Sequence, residues 1–408
     1  MPKPIVVQKF GGTSVATAEG RAAVIERVRD ARAAGNDVVV VVSAMGRKGS
    51  PYATDTLLGL LTDGSADGRE RDMLASCGEV LTAVVSAHEL RAAGVPAAAF
   101  TGAEAGIVTD DRFGDARIVS LHPAGLLRTL AEGVTPVVAG FQGVTEDGET
   151  TTLGRGGSDT TACALGVALE AATVEIYTDV DGVMTADPRE CGRARVLDRV
   201  AYEELFQMAH GGAKVVHAPA AELAMHGGVP VRVRNTFSGA PGTLIADIAP
   251  EAGVATAVSH VDGVAQLRVD LPTSAEDGLA HMGAQTRVYR RLADAGVSLD
   301  MFTPCCDTLV FTVAEGAVAE AMRVLDGLGM PYEVITGLAK VTLVGAGMRG
   351  VPGVMARVAE ALCEAQVPIV QTADSHTTIS VLVWQNMRKV AVEALHEAFG
   401  LGRGEQAR

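Results

Sequence analysis

The residues with the clearest chemical potential lie in two glycine-containing segments far apart in the chain. They are Lys9-Phe10-Gly11-Gly12-Thr13-Ser14 and Thr151-Thr152-Leu153-Gly154-Arg155-Gly156-Gly157-Ser158-Asp159-Thr160-Thr161. Each stands where an apolar run gives way to a helical pattern, so backbone N–H groups and a helix N-terminus can converge on an anion. Neither is a Walker A loop. Phosphoryl transfer needs cations and N–H donors around the phosphates, Mg²⁺ to bridge them and a positioned acceptor, and leaves little covalent chemistry to the protein. Lys9, at the end of a strand-like run, can reach a phosphoryl group in transfer while Gly11 and Gly12 let the backbone approach; the alternative is a lysine snorkelling at a strand end. Arg155 can grip a carboxylate bidentately or can be a solvated surface arginine. Asp159 can cap the helix that follows, or orient Lys9 or the metal.

A third segment, Tyr177-Thr178-Asp179-Val180-Asp181-Gly182-Val183-Met184-Thr185-Ala186-Asp187-Pro188-Arg189, follows an apolar run and is dense in carboxylates and turn formers. Strand ends of open α/β sheets bind ligands, whereas Asp-Gly and Asp-Pro also occur in plain loops. The bidentate Glu of an EF-hand is missing. Glu79, in Ser76-Cys77-Gly78-Glu79, can meet an amino group or lie on a helix surface. The GxGxxG match at Gly345-Ala346-Gly347-Met348-Arg349-Gly350 is set aside as a dinucleotide site. The next two strand candidates are joined by only Ala373 to His376, which permits an antiparallel hairpin and no parallel crossover.

The elements that must position these residues follow from periodicity. A continuous apolar run at Val38 to Val42 suits a buried parallel strand, and Ala97 to Phe100, Thr135 to Ala139, Val174 to Thr178 and Val229 to Arg234 are similar strand candidates. Helical patterns run over Glu19 to Ala34, Thr160 to Ala171 and Tyr202 to His210. The alternation predicts an α/β domain, a three-layer αβα sandwich with a mostly parallel sheet, over residues 1–247. Beyond a turn-rich stretch, two units each read strand, helix, strand, strand, helix, as in a ferredoxin-like module. They occupy 262–337 and 338–408, the second completed by a strand from 248–261. In the first, strands are expected at Val297 to Phe302 and Thr308 to Val313; in the second, at Val367 to Thr372 and Thr377 to Val383.

With 408 residues and 48% hydrophobic composition the chain can fill several cores. A net charge of −15 argues against nucleic acid or an anionic membrane as partner. No stretch approaches the ~20 apolar residues of a membrane span, and the start carries no signal-peptide pattern, so a cytoplasmic protein is expected. The six cysteines lack CxxC spacing and are expected to be reduced, buried hydrophobes with no zinc site.

Together with Gly211-Gly212-Ala213-Lys214-Val215-Val216-His217, the Lys9 to Val15, Thr151 to Ala162 and Tyr177 to Arg189 segments resemble the aspartate kinases of the amino-acid-kinase superfamily, in order and over nearly the whole chain. The C-terminal pair is similar to that family's ACT regulatory domains. The resemblance implies transfer of the γ-phosphoryl group of ATP to the side-chain carboxylate of L-aspartate, with Mg²⁺ carried by ATP and no prosthetic group or protein-held metal. It implies that Lys9 stabilises the moving phosphoryl group and Asp159 orients it. Arg155 then takes the substrate α-carboxylate and Glu79 its α-amino group, with Ser43, Thr54 and Ser158 as further substrate contacts. Lys9, Phe10, Gly11, Gly12, Thr178, Asp179, Arg189 and Lys214 would form the ATP site. Met184 stands where many members have tyrosine. An acceptor such as acetylglutamate or a nucleoside monophosphate, and a catalytically inactive amino-acid sensor, are the alternatives.

The loop Gly345 to Gly353 with Gln371 to Thr378 resembles aspartate kinases inhibited by meso-diaminopimelate. By that resemblance Met348, Gly350, Val351, Pro352, Gly353, Asp374 and Ser375 would hold the effector, with lysine or threonine as other candidates. The stretch Met301 to Asp307, with Pro304, Cys305 and Cys306, is not expected to bind it in the same manner. Family members pair these modules between subunits, which implies a homodimer or larger assembly.

Overall fold

Valine-rich runs without alternation become strands buried on both faces. The computed structural model describes residues 3–61, 67–213, 216–248, 253–271, 278–304 and 307–402. β1 (Ile5–Phe10) and β2 (Asp37–Val42) lie in parallel register, Ile5 opposite Asp37 and Phe10 opposite Val42. Between them come one turn of helix, α1 (Gly12–Val15), and α2 (Ala18–Ala33), capped by Thr17 Oγ1, which accepts from the Gly20 amide at 3.1 Å. After β2 follow the short α3 (Thr54–Leu58) and the long α4 (Gly68–Ala92). The chain then runs through β3 (Ala97–Phe100), β4 (Ile107–Thr109), β5 (Ile118–Leu121), α5 (Ala124–Ala131), β6 (Thr135–Ala139), β7 (Gln142–Val144) and β8 (Thr150–Thr152). Next are α6 (Gly157–Ala168), β9 (Thr173–Thr178), β10 (Arg199–Ala201), α7 (Tyr202–His210), α8 (Ala218–His226), β11 (Val231–Asn235) and β12 (Thr243–Ala246).

The main sheet has the order β10-β12-β11-β9-β1-β2-β6-β3, and only the β11–β12 pair is antiparallel. Strand alternation divides its core. Val38, Val40 and Val42 pack with Val24 and Val28 of α2 and Ala83, Ala87 and Leu90 of α4. Val41 faces the other way, where it and Ser158 of α6 both crowd Gly140, and α6 packs on α8 and β1. This is the expected αβα sandwich. A second sheet of order β5-β4-β7-β8 was not anticipated; three of its strands are three residues long, too short to show a period.

The C-terminal part comprises β13 (Ala257–Asp270), α9 (Gly278–Asp294), β14 (Asp300–Pro304), β15 (Thr308–Ala314), α10 (Val318–Leu328), β16 (Tyr332–Val344), α11 (Val354–Glu364), β17 (Gln371–Asp374), β18 (Thr378–Trp384) and α12 (Arg388–Ala398). Its sheet runs β14-β15-β13-β16-β18-β17 and is antiparallel throughout. Each group of helices covers its own core: α9 and α10 over β13 and β15, α11 and α12 over β16 and β18. β13 and β16 pair along nearly their full length, with register shifts around Val264.

Strands β14 and β17 begin later than Val297 and Val367, for one repeated reason. Each of these valines donates its amide back to the helix before it, Val297 to Leu292 O at 2.9 Å and Val367 to Leu362 O at 2.8 Å. Gly296 (φ 72°) and Gln366 (φ 56°) make the left-handed turn between. The apolar residue seals the helix end and belongs to the cap, not the strand.

The chain clusters into two units: Met1–Val183, Val196–Ala209 and Lys214–Ala249 in one, Met184–Arg195, His210–Ala213 and Pro250–Arg408 in the other. The short stretch 184–195 belongs wholly to the second. There Ala186 and Cys191 join the core beneath α11 and α12, Thr185 Oγ1 meets the buried His396 Nε2 at 2.9 Å, and Arg388 pairs with Glu190 at 2.8 Å. Cys163 and Cys191 are buried as expected, whereas Cys77 and Cys363 are exposed, on the outer faces of α4 and α11. Cys305 and Cys306 lie outside the described residues.

Candidate active site

β1, β2, β6 and β9 run in the same direction, so their C-terminal ends open on one edge of the sheet. A cavity of about 320 Å³ lies within the first unit, and its lining includes Lys9, Gly12, Ser43, Thr54, Glu79, Arg155, Ser158 and Asp159. Eight positions selected from sequence, scattered over 150 residues, are thus brought around one space. Lys9 Nζ lies 2.6 Å from Asp159 Oδ1, with both side chains largely buried. Asp159 is in the first turn of α6, where a negative charge is favoured by the helix dipole.

Backbone contacts tie the loops after β1 and β2 together. Ser43 N donates to Phe10 O at 3.1 Å and Gly46 N to Gly12 O at 3.0 Å. A Cβ on Gly12 would stand 2.6 Å from Gly46 O and 2.7 Å from Ala44 O, so only glycine permits this approach. The Phe10 side chain is fully buried and stacks on Tyr177, with ring centroids 4.7 Å apart. What Phe10 can offer a nucleotide is therefore its backbone. Beneath that stack, Glu175 accepts from Gln8 Nε2 at 2.9 Å, Tyr177 OH at 3.0 Å and Arg234 Nη1 at 3.0 Å.

Glu79 is buried on the inner face of α4 rather than on a helix surface. Its Oε1 accepts from the Ala44 amide at 3.0 Å, while Oε2 is buried without a hydrogen-bond partner among the described residues. Burial pushes its pKa up to about 7, against the opposing pull of the Ala44 amide. Arg155 is exposed at the tip of the glycine turn and makes no ion pair with another described residue. Gly156 beside it has φ 72°, and a Cβ there would lie 2.2 Å from the His217 ring. Glu79, with one oxygen lacking a hydrogen-bond partner among the described residues, and the Arg155 guanidinium, with no ion pair among them, both line the cavity and complement an amino acid's two ends.

Thr178 and Asp179 close β9. Thr178 Oγ1 donates to Asp179 Oδ1 at 3.2 Å, and Asp179 Oδ2 receives Arg47 at 2.9 Å. Arg189 lies in the stretch that clusters with the second unit, where it binds Asp187 at 2.7 Å and holds that carboxyl below its usual range. Lys214 lies outside the described residues.

In the second unit the loop after β16 and the β17–β18 turn share one end of the sheet, and Gly345 N donates to Thr377 O at 2.9 Å. Gly350, Val351, Pro352 and Gly353 are in that loop, with Gly353 (φ 90°) entering α11; Asp374 ends β17. The Met348 side chain is turned into the core. Ser375 Oγ serves its own turn, accepting from the Thr377 and Thr378 amides at 3.2 and 3.0 Å.

Sequence reasoning missed Arg47, Lys48 and Asp55, all of which line the cavity. The pair of adjacent cations between Ser43 and Thr54 was the available signal, since an anionic substrate in so acidic a chain needs a local basic pocket. Among the described residues, no three His, Cys, Asp or Glu side chains come together as a metal cage, and no helix is long and apolar enough to cross a membrane.

Comparison with known proteins gives the following. The profile of the amino acid kinase family matches residues 4–235 and that of an ACT domain matches residues 333–397. The chain is 47% identical to aspartokinase 1 of Bacillus subtilis, covering 98% of this chain and 100% of that protein. Among solved structures it is similar to E. coli aspartokinase III in complex with aspartate and ADP, in the R-state, at 27% identity and TM-score 0.78, over 97% of this chain and 100% of the other. The same E. coli enzyme in complex with lysine and aspartate, in the T-state, aligns at TM-score 0.75 and 27% identity over 97% of this chain and 99% of the other.

Proposed function

Because the chain belongs to the amino acid kinase family, as one of its aspartokinases, we propose that the cavity at the edge of the parallel sheet is where ATP and L-aspartate meet. The reaction transfers the γ-phosphoryl group of ATP to the β-carboxylate of L-aspartate. A carboxylate oxygen bonds to the γ-phosphorus as the bond from phosphorus to the β,γ-bridging oxygen breaks, giving 4-phospho-L-aspartate and ADP. The nucleophile is already an anion, so no base is needed and catalysis reduces to placement and charge.

The observation that carries the assignment is the Lys9–Asp159 contact at 2.6 Å in a cavity shared with Arg155 and Glu79. Lys9 offsets charge on the phosphoryl oxygens as it moves between ADP and acceptor, and Asp159 fixes the direction of the ammonium. Arg155 takes the α-carboxylate, and Glu79, ionised, takes the α-ammonium on its open oxygen. Ser43, Thr54 and Ser158 complete the substrate side. The backbone of Phe10 to Gly12, with Thr178, Asp179, Arg189 and Lys214, serves the nucleotide. Mg²⁺ arrives with ATP as part of the substrate. The aspartate and ADP bound by the E. coli relative support this pair of ligands.

For regulation we assign 1–247 to catalysis, and 262–337 and 338–408, with a strand from 248–261, to two ACT modules in a cytoplasmic homodimer or larger assembly. An amino-acid effector then binds the Met348 to Gly353 loop, through backbone at Met348, together with Asp374 and Ser375. Meso-diaminopimelate is favoured, because Asp374 suits an ammonium and the glycine loop a carboxylate; lysine, bound by the E. coli relative, and threonine are the other candidates.

The test is a set of initial rates with L-aspartate, with N-acetyl-L-glutamate and with a nucleoside monophosphate as acceptor, then with aspartate while lysine, threonine, methionine and diaminopimelate are added singly and in pairs. Aspartate alone should be phosphorylated. Turnover of the acetylated acceptor overturns the role of Glu79, and inhibition by lysine without response to diaminopimelate overturns the effector.

A further inference from the structure

Asp72 lies on α4 two helical turns before Glu79, on the same buried face. It is 2% exposed, and no Lys or Arg among the described residues pairs with it. Its charge is held by three donors. Oδ2 accepts from the Thr152 amide at 2.7 Å and the Gly114 amide at 2.9 Å, and Oδ1 accepts from Thr152 Oγ1 at 2.8 Å. Thr152 ends β8, three residues before Arg155, and its own carbonyl accepts from Ala116 N at 2.9 Å. A buried carboxyl group without a cation is tolerated where both of its oxygens are hydrogen-bonded.

The two acids give one helix two holds. Glu79 fixes the loop after β2 through Ala44, and Asp72 fixes the end of β8 and the loop around Gly114. The positions are about 10 Å apart along the axis at 1.5 Å per residue. Gln142 Nε2 adds a hold between them, donating to Ser76 O at 3.0 Å. Arg155, by contrast, stands on a glycine turn with no ion pair among the described residues. The place of that guanidinium relative to Glu79 is set by where β8 ends on α4.

We propose that Asp72 is a positioning residue for the acceptor substrate: it clamps Thr152 so that Arg155 and Glu79 stand at the separation of an α-carboxylate and an α-ammonium. This rests on the substrate reading given above for those two residues. Asp72 touches no substrate; it acts through β8. Losing it frees the turn, which then pays an ordering cost whenever aspartate binds. The cost falls on aspartate and not on ATP.

The experiment compares Asp72→Ala, Asp72→Asn, Thr152→Val and Arg155→Ala in the full chain, reading the KM for aspartate and the KM for ATP separately. Asp72→Ala should raise the KM for aspartate about tenfold or more, and Thr152→Val, which loses one bond and keeps both amides, about fivefold, each leaving the KM for ATP within about twofold. Asp72→Asn keeps an oxygen for the two amides and should restore most of the loss. Should Asp72→Ala fail to fold, Thr152→Val, which removes one hydroxyl from a near-isosteric side chain, still gives the answer. Hydrogen exchange over 152–157 in that variant should quicken. Equal changes in both KM values, or an unchanged aspartate KM in Thr152→Val and Asp72→Ala while Arg155→Ala raises it, overturns the positioning role. An unchanged aspartate KM in Arg155→Ala itself overturns the underlying substrate reading instead.

Discussion

The Glu79 carboxylate accepts the Ala44 amide at 3.0 Å with one oxygen and leaves the other buried without a hydrogen-bond partner among the described residues, in a side chain that lines the cavity. Burial raises its pKa from 4.5 to about 7, so near neutrality the empty site holds a mixture of acid and carboxylate. Only the carboxylate can pair with an ammonium. Aspartate affinity should therefore climb as pH rises through about 7 and level off above it, and Glu79→Gln should abolish that slope. Titration calorimetry with aspartate between pH 6 and pH 8.5 measures both.

The same group sets a stability cost of the opposite sign. The unfolded chain releases this proton near 4.5 and the folded one near 7, so the empty fold loses stability as pH rises across that window. The full loss is about 3 kcal/mol. Glu79→Gln should be more stable than the parent to urea at pH 8, and equal to it at pH 4.5. A parent that gains stability over this range would remove Glu79 as the source.

Lys9→Ala should lower turnover by about 10²–10⁴-fold with little change in fold, because the ammonium is one preorganised donor among several. Without its partner, Asp159 remains at the head of α6, where the dipole still favours it. The measurement is kcat at saturating ATP and aspartate, beside circular dichroism. Near-normal kcat in the folded variant sinks the assignment of Lys9.

Gly156→Ala meets two obstacles, φ 72° and the His217 ring at 2.2 Å from the new Cβ. The left-handed backbone alone costs about 1–2 kcal/mol. Adding His217→Ala should recover the steric part and leave the backbone part, which thermal unfolding of the single and double variants separates. Full recovery in the double variant would show that backbone strain is negligible there.

His396 is buried with its Nε2 on Thr185 Oγ1 at 2.9 Å. Burial, then Arg193 and Arg195, hold its pKa below the ordinary value of 6.5. The folded state binds fewer protons than the unfolded one just below 6.5, so this unit loses stability as pH falls through that range. His396→Gln keeps a hydrogen-bonding group without the titration and should flatten the acid dependence. Fluorescence of Trp384, the single tryptophan and a residue of this unit, reports it.

What was legible in the sequence was local. The Lys9 to Ser14 and Thr151 to Thr161 segments carry their glycines, charges and helix starts side by side, so their chemistry can be inferred before any fold is known. Glu79 is less so: a helix acid on its own suits a surface, and resemblance to a family was needed to single it out. Asp72 gave no signal, since its donors come from residues 42 and 80 positions away. Arg47 carries no local mark of its place, because a loop's path is set by what it packs on. Val297 and Val367 read as strand residues in the sequence because a β-branched residue after a helix looks alike whether it seals the cap or starts the next strand.

Residues 184–195 lie between stretches of the first unit yet contribute Ala186 and Cys191 to the core of the second. The boundary between the units is therefore not a point on the gene. A truncation near residue 249 leaves a kinase polypeptide whose Ala186 and Cys191 have lost the core they belong to. A chimera that exchanges only the C-terminal third sets one parent's loop against the other's core. Anyone swapping effector response between relatives has to move this stretch and His210–Ala213 along with the C-terminal third, as one cassette in three pieces.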